Sequence, residues 1–116
     1  MSFAVPTEQK ALVLPAKQAE FVVGPWLVPK PAPGEVLVRA EAVGLNPVDT
    51  YVQSTGVFVT EYPSILGWKA AGIVVQLGDG VTSLAVGAKV YACFHCHSRL
   101  INSRRVSRQA PPWRHW

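Results

Sequence analysis

The chain has 116 residues, 49% of them apolar and 16% charged, with ten prolines, nine glycines, two cysteines and a net charge of +4. That length holds one domain, the apolar share excludes disorder for the chain as a whole, and no apolar run reaches the roughly 18 residues of a membrane helix. The charge is uneven: residues 1–92 carry six basic and seven acidic side chains, while residues 93–116 carry five arginines and no acid. This shift separates an almost neutral unit, 1–92, from a basic and atypical tail, 93–116.

From the start of the chain, Met1 to Lys10 contains Glu8 and lacks the basic segment leading into an apolar one that marks a secretory signal. Two cysteines, Cys93 and Cys96, do not make a disulfide framework. The expectation is a cytoplasmic protein with no membrane association. Gln9 to Pro15 is a short apolar run closed by proline, as in a strand. Glu20 to Val23 is a second strand, ended by Gly24-Pro25. Trp26 to Pro33 holds three prolines and cannot be helical, because proline fixes φ and lacks a donor. It reads as an extended connector.

Gly34 to Asn46 carries the clearest strand pattern. Val36, Val38, Ala40 and Ala42 form an apolar face, and Leu37, Arg39, Glu41 and Val43 the other. Gly44 inside this run predicts a bulge or a close backbone approach. Pro47 to Ser54 reads as a short helix. Asn46 is its N-cap, Pro47 its first residue, Asp49 a complement to the helix dipole and Gly56 its stop. Val57 to Tyr62 is a loop or short strand, Ala71 to Leu77 a β-branched strand, Gly78-Asp79-Gly80 a turn, and Lys89 to Ala92 the last strand. Gly67, Gly72 and Gly87 read as backbone devices. Many short strands, tight turns and one helix predict a mainly β, barrel-like domain.

Three blocks carry a family resemblance: PAPGEVLVRAEAVGLNPVD, then PSILGWKAAGIVVQLGDGV, then LAVGAKV. In this order and spacing the chain resembles the medium-chain dehydrogenase/reductase family over roughly Lys10 to Ala92. It is most similar to the quinone-reductase-like and fungal trans-acting enoyl-reductase branch. The resemblance implies the amino-terminal GroES-like domain, a partly open β-barrel with one short helix, followed here by a basic tail expected to be disordered. Zinc alcohol dehydrogenases have a Cys after the long strand and a Gly-His-Glu triplet further on, suited to Zn²⁺. Here those positions are Asn46 and Gly67-Trp68-Lys69. Asn is a poor zinc ligand, Trp offers none, and Lys69 repels a cation, so a zinc-independent member is expected.

In zinc-free members the resemblance places Asn46 in the cleft near nicotinamide and substrate, with Tyr51 projecting toward the same cleft and Trp68 lining the substrate pocket. It implies NADPH as cofactor of the parent family and a small enone or enoyl substrate, reduced at a carbon–carbon double bond conjugated to a carbonyl. Read as structure, the same residues are a helix N-cap and two aromatics that pack in the core or at its rim. Dinucleotide binding needs a strand–GxGxxG–helix unit, and no GxGxxG occurs in these residues. The expectation is therefore a truncated family member, inactive by itself, with no cofactor-binding residues of its own. Its exposed interdomain face is expected to make it marginally stable and to promote self-association.

Two readings of another kind attach to the tail. Cys93, His95, Cys96 and His97 could hold a metal, but contiguous ligands strain a tetrahedral site, which is normally built from two separated pairs. Ser98 to Trp116 interleaves Arg with Trp, a composition that could serve an interaction module contacting an acidic partner, nucleic acid or an anionic membrane. Against this stand the lack of apolar periodicity and Pro111-Pro112, and nucleic acid binding is not expected. The foreign composition after Ala92 also suits an alternatively processed product, such as one translated through an unspliced segment.

Overall fold

The computed structural model describes residues 3–67, 69–93 and 103–104. Its elements are β1 (Glu8–Val13), β2 (Val22–Leu27), β3 (Val36–Gly44), α1 (Pro47–Thr55), β4 (Lys69–Leu77), β5 (Lys89–Cys93) and β6 (Ser103–Arg104). β1 and β2 form an antiparallel hairpin, and the other strands form a four-stranded antiparallel sheet in the order β5-β4-β3-β6. The sheets do not close on one another, so the fold is the partly open β-barrel with one short helix that the resemblance implies.

The core lies between the large sheet and the segments that return over it. Val36, Val38 and Val74 are its centre, and Leu77, Val81, Leu84, Ala88 and Val90 pack against them. The hairpin joins this body through a bridge in which the Leu14 and Ser64 backbones exchange hydrogen bonds of 2.7 and 2.9 Å. Helix α1 is tied to the chain after β1 by the Gln18 amide donating to the Gln53 carbonyl and by Gln53 Nε2 donating to the Ala19 carbonyl. The Gly78-Asp79-Gly80 turn forms as expected and is held to the start of β3, with the Gly34 amide donating to Asp79 and the Gly78 amide to Glu35.

Several expectations need correction. β2 does not stop at Gly24-Pro25 but runs through it to Leu27, with Pro25 opposite Lys10. In a two-stranded sheet each strand has one edge without a partner, and proline's missing N–H is tolerated at such an edge. The irregular connector is correspondingly shorter and begins after Leu27.

The alternation expected in β3 also fails. Val36, Leu37 and Val38 are all buried, whereas Ala42 and Val43 are exposed. Leu37, assigned to the charged face, is 1% exposed. Register shifts between Leu37 and Val38 and between Ala40 and Ala42 break the period of two. The strand starts inside the body and leaves it. Of the two readings of Gly44, the bulges lie earlier in the strand, while Gly44 pairs in register with Lys69 and approaches it closely, a Cβ there falling 3.3 Å from Lys69 Cβ.

β4 begins at Lys69, two residues before the expected start, because it is hydrogen-bonded on both sides, to β3 and to β5. Residues 57–62 are a loop. In the tail, Ser103 and Arg104 pair with Leu37 and Val36 as β6, a strand where an irregular chain was expected. Residues 94–102 and 105–116 lie outside the described residues, and so does the expectation of a disordered end.

Candidate functional site

The site is built where β3 leaves the body and turns into α1. Gly44 ends the strand, Leu45 follows, and Asn46 adopts extended φ −130° and ψ 152° before Pro47 opens the helix. Pro47 suits this position because its missing N–H would have no intrahelical partner. The Asn46 amide N–H donates to Asp49 Oδ2 at 2.9 Å, and the Asp49 amide donates to the Asn46 carbonyl at 3.0 Å. Asp49 thus does more than face the helix dipole: it is the returning carboxylate of a capping box. The Asn-x-x-Asp spacing was the signal for it in the sequence. The helix ends at Gly56, whose φ of 71° is left-handed and whose amide donates to the Val52 carbonyl at 2.9 Å.

Two polar atoms here are buried without a hydrogen-bond partner, Asn46 Nδ2 and Asp49 Oδ1. A buried donor left unmatched costs about 1–3 kcal/mol. Lys69 stands beside it. A Cβ built on Gly44 would lie 3.3 Å from Lys69 Cβ and 3.9 Å from Asn46 Nδ2, so Gly44, Asn46 and Lys69 converge on one point. Sequence reasoning used Lys69 only as an argument against zinc and did not place it beside Asn46. Only the β3–β4 register brings the two together.

The other expected residues are distributed as follows. Tyr51 is 57% exposed, and its carbonyl accepts hydrogen bonds from Thr55 Oγ1 at 2.7 Å and Ser54 Oγ at 3.1 Å. Its ring is therefore not part of the core, and Val52 is the buried residue of α1. Leu45 is 89% exposed. It occupies the position before the N-cap, where an apolar residue often packs on the fourth helical residue, but that residue is Thr50. Trp68 lies outside the described residues. Cys93 ends β5 with its backbone opposite Lys69, and His95, Cys96 and His97 lie outside the described residues. Among the described residues no three His, Cys, Asp or Glu side chains come together as a metal site, and no helix is long and apolar enough to cross a membrane.

A partly open antiparallel barrel whose long strand leads into a single short helix is the architecture of the amino-terminal domain of the medium-chain dehydrogenase/reductase type. Residues 32–110 match the model of the alcohol dehydrogenase GroES-like domain, and the chain belongs to that family. It is 41% identical over 87 residues to a trans-enoyl reductase of Aspergillus flavipes, a match covering 73% of this chain and 25% of that protein. An alcohol dehydrogenase superfamily protein from Novosphingobium aromaticivorans superposes with a TM-score of 0.69 at 36% identity, covering 75% of this chain and 27% of that one. The structure of a 2-haloacrylate reductase superposes with a TM-score of 0.65 at 30% identity, covering 83% of this chain and 28% of that one. The chain spans about a quarter of the length of the trans-enoyl reductase it matches.

Proposed function

We propose that these residues form the substrate-side wall of a zinc-independent, NADPH-dependent reductase acting on a carbon–carbon double bond conjugated to a carbonyl. The observation that carries the proposal is Asn46 Nδ2, a buried donor with no partner at the strand-to-helix junction. Such a donor suits an oxygen that arrives with a ligand. Its neighbours are Lys69 and Asp49, a set unsuited to Zn²⁺ because a single carboxylate beside an amide and an ammonium falls short of the three or four ligands the metal needs. Two relatives support the substrate class by their names, since an enoyl group and a 2-haloacrylate both place a double bond beside a carbonyl carbon.

Within this reading Asn46 donates to the acceptor's carbonyl oxygen and fixes its orientation. The hydride is supplied by NADPH, the cofactor doing the redox chemistry and the protein the positioning. The present residues do not fit a whole dinucleotide, because the sequence has no GxGxxG to cradle its phosphates. We therefore assign these 116 residues no cofactor-binding residues and no turnover by themselves. Tyr51 and Trp68 are proposed to border the same cleft, Tyr51 from the exposed side of α1.

Fluorescence titration of the 116-residue chain with NADPH tests the cofactor assignment. No saturable binding is expected up to millimolar cofactor, and micromolar saturation would overturn it. Amide NMR titration with a neutral conjugated ester, methyl 2-butenoate, tests the acceptor assignment. Shifts centred on Gly44 to Asn46 are expected, and they disappear in Asn46→Ser.

A further inference from the structure

Besides Asn46 Nδ2 and Asp49 Oδ1, the junction holds a third group without a partner among the described residues. Lys69 is half-buried at the first residue of β4, and among the described residues no carboxylate pairs with it; Arg39 and Glu41 pair with each other at 3.3 Å. Its Cβ and Asn46 Nδ2 both lie within 4 Å of the point a Gly44 side chain would occupy. Because residue 44 has no side chain, β3 and β4 approach closely enough there to bring Lys69 beside Asn46; a Cβ at residue 44 would sit 3.3 Å from Lys69 Cβ. The flexible four-carbon stem of lysine can swing its ammonium to the oxygen side of a ligand held by Asn46. The nearby acid, Asp49, already accepts from the Asn46 amide through Oδ2 and sits at the positive end of α1. One of its oxygens is thereby partnered, its Oδ1 is not, and Lys69 has no carboxylate partner among the described residues.

We propose that Lys69 is a specificity-determining residue that selects acceptors bearing a carboxylate, so that the preferred ligands are conjugated unsaturated acids and not neutral enones or esters. This rests on the reading of Asn46 as the acceptor's hydrogen-bond donor. The two donors divide the work by chemistry. The neutral amide matches a carbonyl-type oxygen in any acceptor, and the ammonium distinguishes an anionic oxygen from an ester oxygen by a charge-assisted bond. A partly exposed cation gives a modest and salt-sensitive preference.

The test compares 2-butenoate with methyl 2-butenoate in amide NMR titrations of the full 116-residue chain, followed at Gly44, Asn46 and Lys69. The acid is expected to bind about tenfold more tightly than the ester at low salt, a difference of about 1.4 kcal/mol, and less so at high salt. Lys69→Gln should bring the two affinities together, and Lys69→Arg should keep the order. An unchanged preference in Lys69→Gln, or no preference in the native chain, overturns the proposal. If the native chain shows no preference but the ester still binds and needs Asn46, the role of Asn46 stands and that of Lys69 falls. If neither ligand shifts these amides, both fall. Should Lys69→Gln not fold, the salt dependence of the native preference decides: a preference insensitive to salt overturns the proposal.

Discussion

At Gly72 a single missing methyl sets the spacing of two strands. A Cβ there would run into the Arg39 carbonyl, a backbone atom that cannot rotate away. Gly72→Ala is expected to lower stability by about 1–3 kcal/mol, the range for overpacking, while Gly24→Ala, with nothing within 4 Å of the new atom, should stay within about 0.5 kcal/mol. Urea midpoints at constant slope measure both. At the helix start, structure and function separate by residue. Asp49→Ala removes the acceptor for the Asn46 amide and is expected to cost about 1 kcal/mol, the size of a lost cap. Asn46→Ser keeps a residue type favoured at the N-cap and deletes the orphaned Nδ2. It should leave the urea midpoint almost unchanged while abolishing ester-induced shifts. Equal loss of stability in the two variants would mean that the Asn46 side chain is purely structural.

At the scale of the element, the hairpin shows what patterning can and cannot disclose. Glu8, Lys10 and Leu12 share one face of β1, and Val23, Pro25 and Leu27 lie across from them on β2. Leu12, Val23 and Leu27 are 49%, 71% and 73% exposed. This apolar surface is expected to drive self-association. Leu27→Lys should lower the weight-average mass in sedimentation toward that of a monomer without lowering the melting point, because the side chain is already in water. An unchanged mass would locate association elsewhere. The helix was legible in the sequence because its signals are local: Asn46, Pro47, Asp49 and Gly56 each act on their own backbone. The Gly78-Asp79-Gly80 turn was legible for the same reason. The alternation of β3 was misleading because its register shifts are set by β4, and β2 was cut short because proline was read without knowing that its strand has a free edge. The resemblance named Asn46 as a candidate, but its neighbour Lys69 is distant in sequence and adjacent only through strand pairing.

For the whole molecule, the question is how much of the fold residues 93–116 support. The family match continues to residue 110, and β6 adds two residue pairs to the edge of β3. The core residues Val36, Val38 and Val74, and those packed on them, all precede residue 92. We therefore propose that residues 1–92 carry the fold and that the basic tail contributes little to it. A chain ending at Cys93 is expected to keep its cooperative urea transition and to lose no more than about 1–2 kcal/mol, since each cross-strand pair contributes roughly 0.2–1 kcal/mol. It also carries six basic against seven acidic side chains, so any binding to an anionic surface that survives in the full chain should vanish with the tail. A loss of the cooperative transition would show instead that β6 seals the Val36–Leu37 edge of the core, and the boundary would have to move beyond Arg104.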